Sequence, residues 1–268
     1  MALSFPKAVF ASTLIGLSST LGARAQDAER GPAEALDVAL SPECRVPAGR
    51  LYTLAPLKAV RTIQAEKRPL KVLSLGSAGA TTGFGSGSTR ATYSLQLEGE
   101  LQKVLPTISI VVEQRELAGE ITAQAVERIA GMVAETEPDL VVWQVGISDA
   151  LAKADLDAFA GALNEVLEWL SSHEIDVVLI EPPFSAALAD DEHYKGLLAT
   201  IQKSARDNRV PLVLRFEAME FLGQRTRSGA PTNPFRLSHL GARCIAEHVA
   251  RTVAVSVLQP DDSSDARR

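Results

Sequence analysis

The sequence predicts an α/β fold, a three-layer α/β/α sandwich around a mostly parallel sheet of roughly five strands. Two observations carry this prediction. Short, continuously apolar segments recur along the chain, as expected for strands that are buried on both faces. Segments with helical periodicity separate them, and strands that alternate with helices form parallel sheets covered by helices on both sides.

The five predicted strands are apolar runs bounded by charged residues, glycine or proline. The run LVVWQV at 140–145 is predicted to be a buried strand. The run that ends at Ile180 stops before Pro182 and Pro183, which cannot continue a central strand. The predicted strands are 71–76, 108–112, 140–145, 177–180 and 212–216.

Five helices are predicted between and after these strands. The clearest is amphipathic and has one apolar face, formed by Phe159, Leu163, Val166, Leu167 and Leu170. The predicted helices are 93–104, 121–135, 155–172, 192–207 and 240–255. In open sheets of this kind, ligands bind beyond the carboxyl ends of the strands, so we expect the functional site at that edge.

The chain divides into four predicted segments. Residues 1–25 have the pattern of a signal peptide, with Lys7 before an apolar stretch and Ala23-Arg24-Ala25 as a cleavage site, so the mature chain would start near Gln26. The alternative is a membrane anchor, but this stretch is short and is interrupted by serine and threonine. Residues 26–42 are predicted as a flexible linker, 43–256 as the folded domain and 257–268 as a disordered tail. We therefore expect a periplasmic or secreted protein with no membrane span after signal cleavage.

Composition limits the function classes. The net charge of -6 does not favour nucleic-acid binding, which needs a basic face. The four histidines have no metal-site spacing, and no C-x-x-C pair is present, so no metal or cofactor is predicted. The two cysteines, Cys44 and Cys244, form either a disulfide, as an oxidising compartment favours, or two buried thiols.

Several segments resemble the SGNH (GDSL) hydrolase superfamily, and in particular a group of secreted alphaproteobacterial SGNH-type proteins. The strongest match is VVWQVGISDAL at 141–151, which is similar to the family segment VIWQVGTNDAL. The glycine-rich loop in LKVLSLGSAGATTGFG at 70–85, LAGE at 117–120 and RLSHLGARCIAEHVA at 236–250 support it. The resemblance covers roughly residues 43–256 and implies a flavodoxin-like SGNH hydrolase fold.

The resemblance also implies a serine-hydrolase site with several departures. The family's nucleophilic serine falls at Ala78, or at Gly79 if the following glycines are aligned, and Ser77 lies one residue earlier. The oxyanion hole of the family uses the nucleophile's N–H, a glycine and an asparagine. These last two positions hold Gly119 and Ser148, and the neighbouring Gly146 and Asp149 are retained.

The last block can be aligned in two registers. If Gly241 and Cys244 match the family's Gly-Tyr-x-Cys, the catalytic base position holds Arg236 and the orienting aspartate position holds Asn233. If His239 is the base, the residue three before it is again Arg236. Arginine stays protonated and cannot act as a general base, so the gapless register, which we prefer, predicts that the ancestral catalysis is lost.

Three function hypotheses follow. The first is a non-catalytic protein that binds an acylated or anionic glycan, a lipid fragment or a protein in the remnant cleft. The second is an active esterase or deacetylase that uses Ser77 and His239 with Gly119 and Ser148 as oxyanion donors. The third is a structural protein whose cleft is closed by Phe184 and Phe235. The predicted remnant cleft comprises Ser77, Ala78, Gly79, Gly119, Gly146, Ser148, Asp149, Asn233 and Arg236.

Each candidate side chain also has a structural interpretation. Ser77 can be a helix N-cap or a loop serine, and His239 can be an ordinary residue at a helix N-terminus. Arg236 either binds an anionic group or forms an ion pair with a carboxylate at the same edge, namely Asp149, Glu120 or Glu181. The three other histidines lie beside charged residues and are predicted to be solvated: His173, His193 and His248.

Overall fold

The computed structural model describes residues 40–76, 87–117, 119–225 and 239–261, with the backbone alone at 87–92 and 239. Among them six strands form one sheet in the order β1-β6-β5-β4-β2-β3. Neighbouring strands are parallel except that β1 is antiparallel to β6. The strands are β1 (Tyr52–Thr53), β2 (Leu70–Gly76), β3 (Ile110–Glu116), β4 (Leu140–Gln144), β5 (Asp176–Ile180) and β6 (Leu212–Val213). The predicted fold class is confirmed.

Helices connect these strands. They are α1 (Lys58–Glu66), α2 (Gly87–Val104), α3 (Thr122–Thr136), α4 (Ile147–Ala152), α5 (Leu156–Ser172), α6 (Glu192–Asp207), α7 (Arg215–Arg225) and α8 (His239–Ser256), with a short 3-10 turn at Ala48–Arg50. The five predicted helices are present, and α1, α4 and α7 are additional. Asp155 caps α5 by accepting hydrogen bonds from the backbone N–H groups of Asp157 and Ala158.

The last predicted strand, 212–216, is wrong in its second half. The strand ends at Val213 and Arg215 begins α7. The carboxylate of Glu181 accepts a hydrogen bond from the backbone N–H of Phe216 at 3.3 Å, which satisfies a donor of the new helix. A carboxylate at a helix N-terminus also interacts favourably with the helix dipole, so the chain turns here into a helix.

Side chains of successive strand residues enter two separate apolar cores. One core lies between the sheet and α3, α5 and α6, and includes Leu73, Leu75, Val141, Trp143, Leu179, Phe159, Leu163, Ile129 and Leu197. The other lies between the sheet and α1, α2 and α8, and includes Val72, Val142, Val178, Ile180, Ile63, Leu97, Leu101, Ile245 and Val249. The sheet is therefore the middle layer of three.

A third cluster joins the chain before β1 to α7 and α8. Cys44 and Cys244 form a disulfide with their Cα atoms 5.0 Å apart, so the open alternative between a disulfide and free thiols is settled in favour of the disulfide. Leu40, Val46, Leu51 and Met219 pack around it. The cluster fastens the segment that enters the domain to its last helix.

The prediction that His248 is solvated is wrong. Its side chain is 3% exposed, and Nε2 lies 2.7 Å from the carbonyl oxygen of Cys44, to which it donates a hydrogen bond. Burial lowers the pKa of His248 to about 4, although this hydrogen bond opposes the shift. The disulfide brings the segment around Cys44 over the histidine, which excludes water from it.

Packing extends beyond both ends of the predicted 43–256 domain. Leu40 is buried, and the N–H of Ser41 donates a hydrogen bond to the carboxylate of Glu247 at 2.8 Å. At the other end, Arg61 on α1 bonds to the carbonyl of Gln259 at 2.8 Å and to the carboxylate of Asp261 at 3.0 Å. The described part of the chain holds no helix that is both long enough and apolar enough to cross a membrane.

Candidate functional site at the carboxyl edge of the sheet

Strands β2 to β6 are parallel, so the segments that follow them meet at one edge of the sheet. Four of the predicted cleft residues lie there within the described chain: Gly119 after β3, and Gly146, Ser148 and Asp149 after β4. The others, Ser77, Ala78, Gly79, Asn233 and Arg236, lie outside the described residues, as does the side chain of His239. Their roles therefore stay predictions.

The two glycines of this edge adopt a conformation that other residues rarely reach. Gly119 has φ +80° and Gly146 has φ +90°. A Cβ atom on Gly146 would also lie 2.9 Å from Leu197 Cδ2 and from Ile201 Cδ1, both on α6. Gly146 therefore permits both the sharp turn from β4 into α4 and the close approach of that turn to α6.

Asp149 fixes the turn after β4 against α3. Its carboxylate accepts hydrogen bonds from the backbone N–H and the hydroxyl of Thr122, both at 2.9 Å, and both side chains are buried. Burial raises the pKa of Asp149, and the bonds from Thr122 oppose that shift. A cavity of about 20 Å³, room for one water molecule, lies between Leu117, Thr122, Gly146 and Ser148.

At the two positions that the resemblance assigns to oxyanion donors, Gly119 has a backbone N–H, and Ser148, which is partly buried, has a hydroxyl in place of an amide. A hydroxyl is shorter than an asparagine amide and reaches a different point. Loss of one well-placed oxyanion donor lowers the rate about 100- to 1000-fold in serine hydrolases.

The three carboxylates considered as ion-pair partners for Arg236 already form hydrogen bonds or ion pairs with other residues. Glu120 forms an ion pair with Arg128, and Asp149 holds Thr122. Glu181 is fully buried and accepts hydrogen bonds from the Gln202 amide at 2.8 Å and from the N–H of Phe216. Burial raises the pKa of Glu181 to about 7.

A set of buried polar side chains, which sequence reasoning did not identify, lies under the same edge. We call it the buried polar cluster: Ser74 of β2, Tyr93 of α2, Gln144 of β4 and Arg215 of α7, which are between 1% and 4% exposed. Burial lowers the pKa of Arg215 to about 10, while Tyr93 and Tyr194 raise it. Burial likewise raises the pKa of Tyr93, and the charge of Arg215 opposes this.

Arg215 was missed because its segment was interpreted as a strand. The available signal was a lone arginine at the end of the apolar run LVL, at an edge where ligands bind. For His248 the signal was its position four residues after Cys244, on the same helix face. A disulfide at Cys244 necessarily brings other chain over that face.

Aromatic rings pack at the β5 and β6 side of the edge. The ring centroids of Phe184 and Phe216 are 5.1 Å apart, and those of Tyr194 and Phe216 are 5.9 Å apart. The Tyr194 hydroxyl donates a hydrogen bond to the Pro183 carbonyl at 2.6 Å. Phe235, the other ring of the closed-cleft hypothesis, lies outside the described residues. Within the described ranges, no group of histidine, cysteine and acidic residues is arranged to hold a metal ion.

Known structures share this fold. A two-domain esterase (CEX) active on acetylated mannans superposes on this chain with a TM-score of 0.61 at 15% sequence identity. The match covers 79% of this chain and 57% of that protein. An acetyl xylan esterase, AlAXEase, gives 0.54 at 21% identity, covering 67% of this chain and 98% of its own. A mutant of an acetyl-xylooligosaccharide esterase from Geobacillus Stearmophilus gives 0.55 at 20% identity, covering 69% and 94%.

Identities this low show the fold alone, and the fold is that of the SGNH/GDSL hydrolases. No curated protein matches the chain significantly. Residues 43–259, most of the chain, match the non-GDSL lipase-like family. These residues include the turns that carry Gly119, Gly146 and Asp149 and both cysteines of the disulfide. The chain therefore belongs to the non-GDSL lipase-like family.

Proposed function

We propose that this protein binds a saccharide that carries acyl or anionic groups, at the carboxyl edge of its sheet, and does not hydrolyse it. One observation carries the proposal. Gly119, Gly146 and Asp149 keep the turns on which the hydrolase site of the family is built, whereas in the preferred alignment the nucleophile position holds Ala78 or Gly79 and the base position holds Arg236. A retained frame without nucleophile or base favours binding over turnover.

The structural neighbours support a saccharide as the ligand class. Solved proteins with this fold include esterases of acetylated mannans and of acetylated xylan or xylooligosaccharides. A cleft of this fold that lacks a nucleophile still offers backbone and side-chain groups for binding such a saccharide, because function depends on the residues of the site rather than on the fold.

Fluorophosphonate labelling of the purified mature protein tests the absence of hydrolysis. We expect no labelling of wild type and no hydrolysis of p-nitrophenyl acetate above that of a denatured sample, because a serine without a base is a weak nucleophile. Ser77→Ala and His239→Ala are compared alongside, with Ser171→Ala, an exposed serine of α5, as the matched control.

The outcome decides between the hypotheses. Labelling that is lost in both Ser77→Ala and His239→Ala but kept in Ser171→Ala would establish a displaced serine hydrolase and overturn the proposal. Absence of labelling together with binding of an acetylated xylooligosaccharide, measured by calorimetry, would support it. Absence of both labelling and saccharide binding would favour the purely structural alternative and also contradict the proposal.

We further infer that the protein is exported, with the mature chain beginning near Gln26. The disulfide supports this, because disulfides persist in oxidising compartments and are rare in the cytosol. Cell fractionation and N-terminal sequencing test it. A mature protein in the periplasm that starts at Gln26 is expected, whereas a cytoplasmic protein that retains Met1 would contradict the inference.

A further inference from the structure

We propose that the ligand presents a carboxylate to the buried polar cluster, where Tyr93, Gln144 and Arg215 receive it. This inference rests on the proposed function and narrows it, because it assigns the anionic group of the ligand to named side chains. The chemistry needed is that of a small carboxylate, and either an acidic sugar or a fatty acid can supply it.

Register brings the members of the cluster together. Ser74 of β2 lies opposite Val142 of β4, and Gln144 lies two residues further along the same strand. Residues two apart on a strand share a face, and Val142 faces the core formed with α2 and α8, so Ser74 and Gln144 also face α2 and α8. Tyr93 of α2 packs in the same core, and the charge of Arg215 opposes the rise in the pKa of Tyr93.

Two buried donors of this cluster have no acceptor among the described residues. The Tyr93 hydroxyl and the Gln144 Nε2 have no well-formed hydrogen bond among the described residues, although their residues are only 1% and 4% exposed. Ser74 lies near the Tyr93 hydroxyl without good hydrogen-bond geometry. Buried donors are nearly always satisfied in proteins, so two open donors on one face indicate an acceptor beyond the described residues, and a bound ligand is one such acceptor.

The positive charge in the buried polar cluster favours a negatively charged acceptor. Arg215 makes contacts of its own within the protein, and what it adds here is a buried positive charge beside Tyr93. Glu181 follows β5 on the opposite face and holds Gln202 and Phe216, so its charge is directed into the other layer. A planar carboxylate matches both a guanidinium and two neutral donors, because it accepts several hydrogen bonds at once.

Thermal-shift and calorimetric titration of the mature protein with D-glucuronate, octanoate and glucose test the proposal. At least one of the two carboxylates is expected to bind and to raise the Tm, and glucose is expected to do neither. Tyr93→Phe and Gln144→Leu should each weaken that binding about 10- to 100-fold, since each removes a donor to a charged group. Tyr52→Phe, at a half-buried tyrosine of β1 in another cluster, is the matched control and should bind like wild type.

The ligand-free variants give a second readout. Removal of an unpaired buried hydroxyl leaves no other group unsatisfied, so the Tm of Tyr93→Phe without ligand should equal or exceed that of wild type. A Tm well below wild type would show that the protein itself satisfies this hydroxyl and would overturn the proposal.

Binding results separate this inference from the proposed function. Glucuronate binding assigns the carboxylate to an acidic sugar and supports both the cluster and the proposed saccharide ligand. Octanoate binding assigns it to a fatty acid, which supports the cluster as the binding site but contradicts the proposed saccharide ligand. The inference fails if neither carboxylate binds wild type. It also fails if a carboxylate that binds wild type binds Tyr93→Phe and Gln144→Leu equally well. A neutral acetylated xylooligosaccharide that still binds without hydrolysis would then leave the proposed function standing.

Discussion

At the scale of the single residue, Gly146 combines a backbone requirement with a packing requirement. Its φ of +90° disfavours any side chain, and the side chains of Leu197 and Ile201 occupy the space into which a Cβ would project. The turn that carries Ser148 and Asp149 depends on both conditions. Gly146 is therefore required for the structure of this turn, independently of any ligand at the carboxyl edge of the sheet.

Gly146→Ala should lower the free energy of unfolding by about 2–4 kcal/mol, through strain at positive φ and overpacking against α6. Gly131→Ala, on α3, is the matched control because a Cβ there meets nothing within 4 Å. That change should stabilise the protein by up to about 1 kcal/mol. Urea denaturation measures both, and equal stabilities for the two variants would contradict the role given to Gly146.

Glu181 should make the protein more stable as the pH falls from about 7 towards 4.5. Its pKa is about 7 in the folded protein and 4.5 in the unfolded chain, so in this window the folded state binds the extra proton. Glu181→Gln should remove a gain on the order of 3 kcal/mol across this range, measured by urea denaturation at several pH values. A difference from wild type that does not change with pH would contradict this.

His248 should make the protein less stable as the pH falls, in contrast to Glu181. Its pKa is about 4 in the folded protein against 6.5 in the unfolded chain, so its contribution is present above pH 6.5 and is lost as the pH falls towards 4. His248→Gln keeps a donor for the Cys44 carbonyl but does not titrate. This variant should therefore lose less stability than wild type in acid, by up to about 3 kcal/mol in the same titration. A parallel decline of the two proteins would count against a buried neutral histidine.

Sequence reasoning reached some of these residues and not others. Gly146 and Asp149 were identified because a contiguous motif carries them. Arg215 and His248 were not, because their surroundings depend on chain that is distant in sequence: the charge of Arg215 interacts with Tyr93 of α2, and the Cys44 segment covers His248. Charged neighbours in the sequence predict that a side chain is exposed, whereas contacts with distant parts of the chain bury these two side chains.

At the scale of the element, the short strands and the boundaries between elements were the hardest to predict from the sequence. The apolar runs of β2, β4 and β5 were long enough to show their character, and their predicted bounds agree with the structure to within one or two residues. β1 has two residues and carries no periodicity, so only its pairing with β6 defines it. The boundary between β6 and α7 depends on Glu181, which is 34 residues before Arg215 in the chain.

Asp176 illustrates how one side chain holds an element. Its carboxylate accepts hydrogen bonds from the N–H groups of Lys58 at 3.1 Å and Val60 at 2.9 Å, so a residue of β5 caps α1 from a distant part of the chain. Asp155 caps α5 from the adjacent position instead. Burial raises the pKa of Asp176 to about 6, and these backbone bonds oppose the shift.

Asp176→Ala should therefore release α1, with a loss of about 2 kcal/mol and faster amide hydrogen exchange confined to Lys58–Glu66. Asp155→Ala is the matched control, with a loss of about 1 kcal/mol and faster exchange in α5 only. Hydrogen exchange followed by mass spectrometry distinguishes the two. Unchanged exchange in α1 after Asp176→Ala would show that packing alone holds this helix.

At the scale of the whole molecule, the disulfide closes a loop across 200 residues of sequence. In the chain-entropy account such a bond stabilises the protein by ~5 kcal/mol, because the open chain has far more conformations to lose. The double variant Cys44→Ala, Cys244→Ala should lose stability of this order, and dithiothreitol should lower the Tm of wild type but not of the variant. Equal melting with and without reductant would contradict this.

The layered architecture itself was predictable, since alternation of apolar strands with amphipathic helices leaves few arrangements open. The buried polar cluster was less predictable, because its residues come from β2, β4, α2 and α7, which no local sequence pattern connects. The sequence predicts a site at the carboxyl edge of the sheet, and Gly119, Gly146, Ser148 and Asp149 do lie at that edge. The sequence did not indicate which buried side chains lie under that edge.

The pairing of Cys44 with Cys244 also sets the order of events during biosynthesis. A chain is made from its N-terminus, so the first thiol emerges and must wait in reduced form until nearly the whole domain has followed. With two cysteines in the sequence, no internal competitor can capture it meanwhile, and the available wrong partner is a thiol of another molecule. Formation of the correct bond therefore requires that the chain has been made as far as Cys244, and misoxidation yields covalent oligomers rather than scrambled monomers.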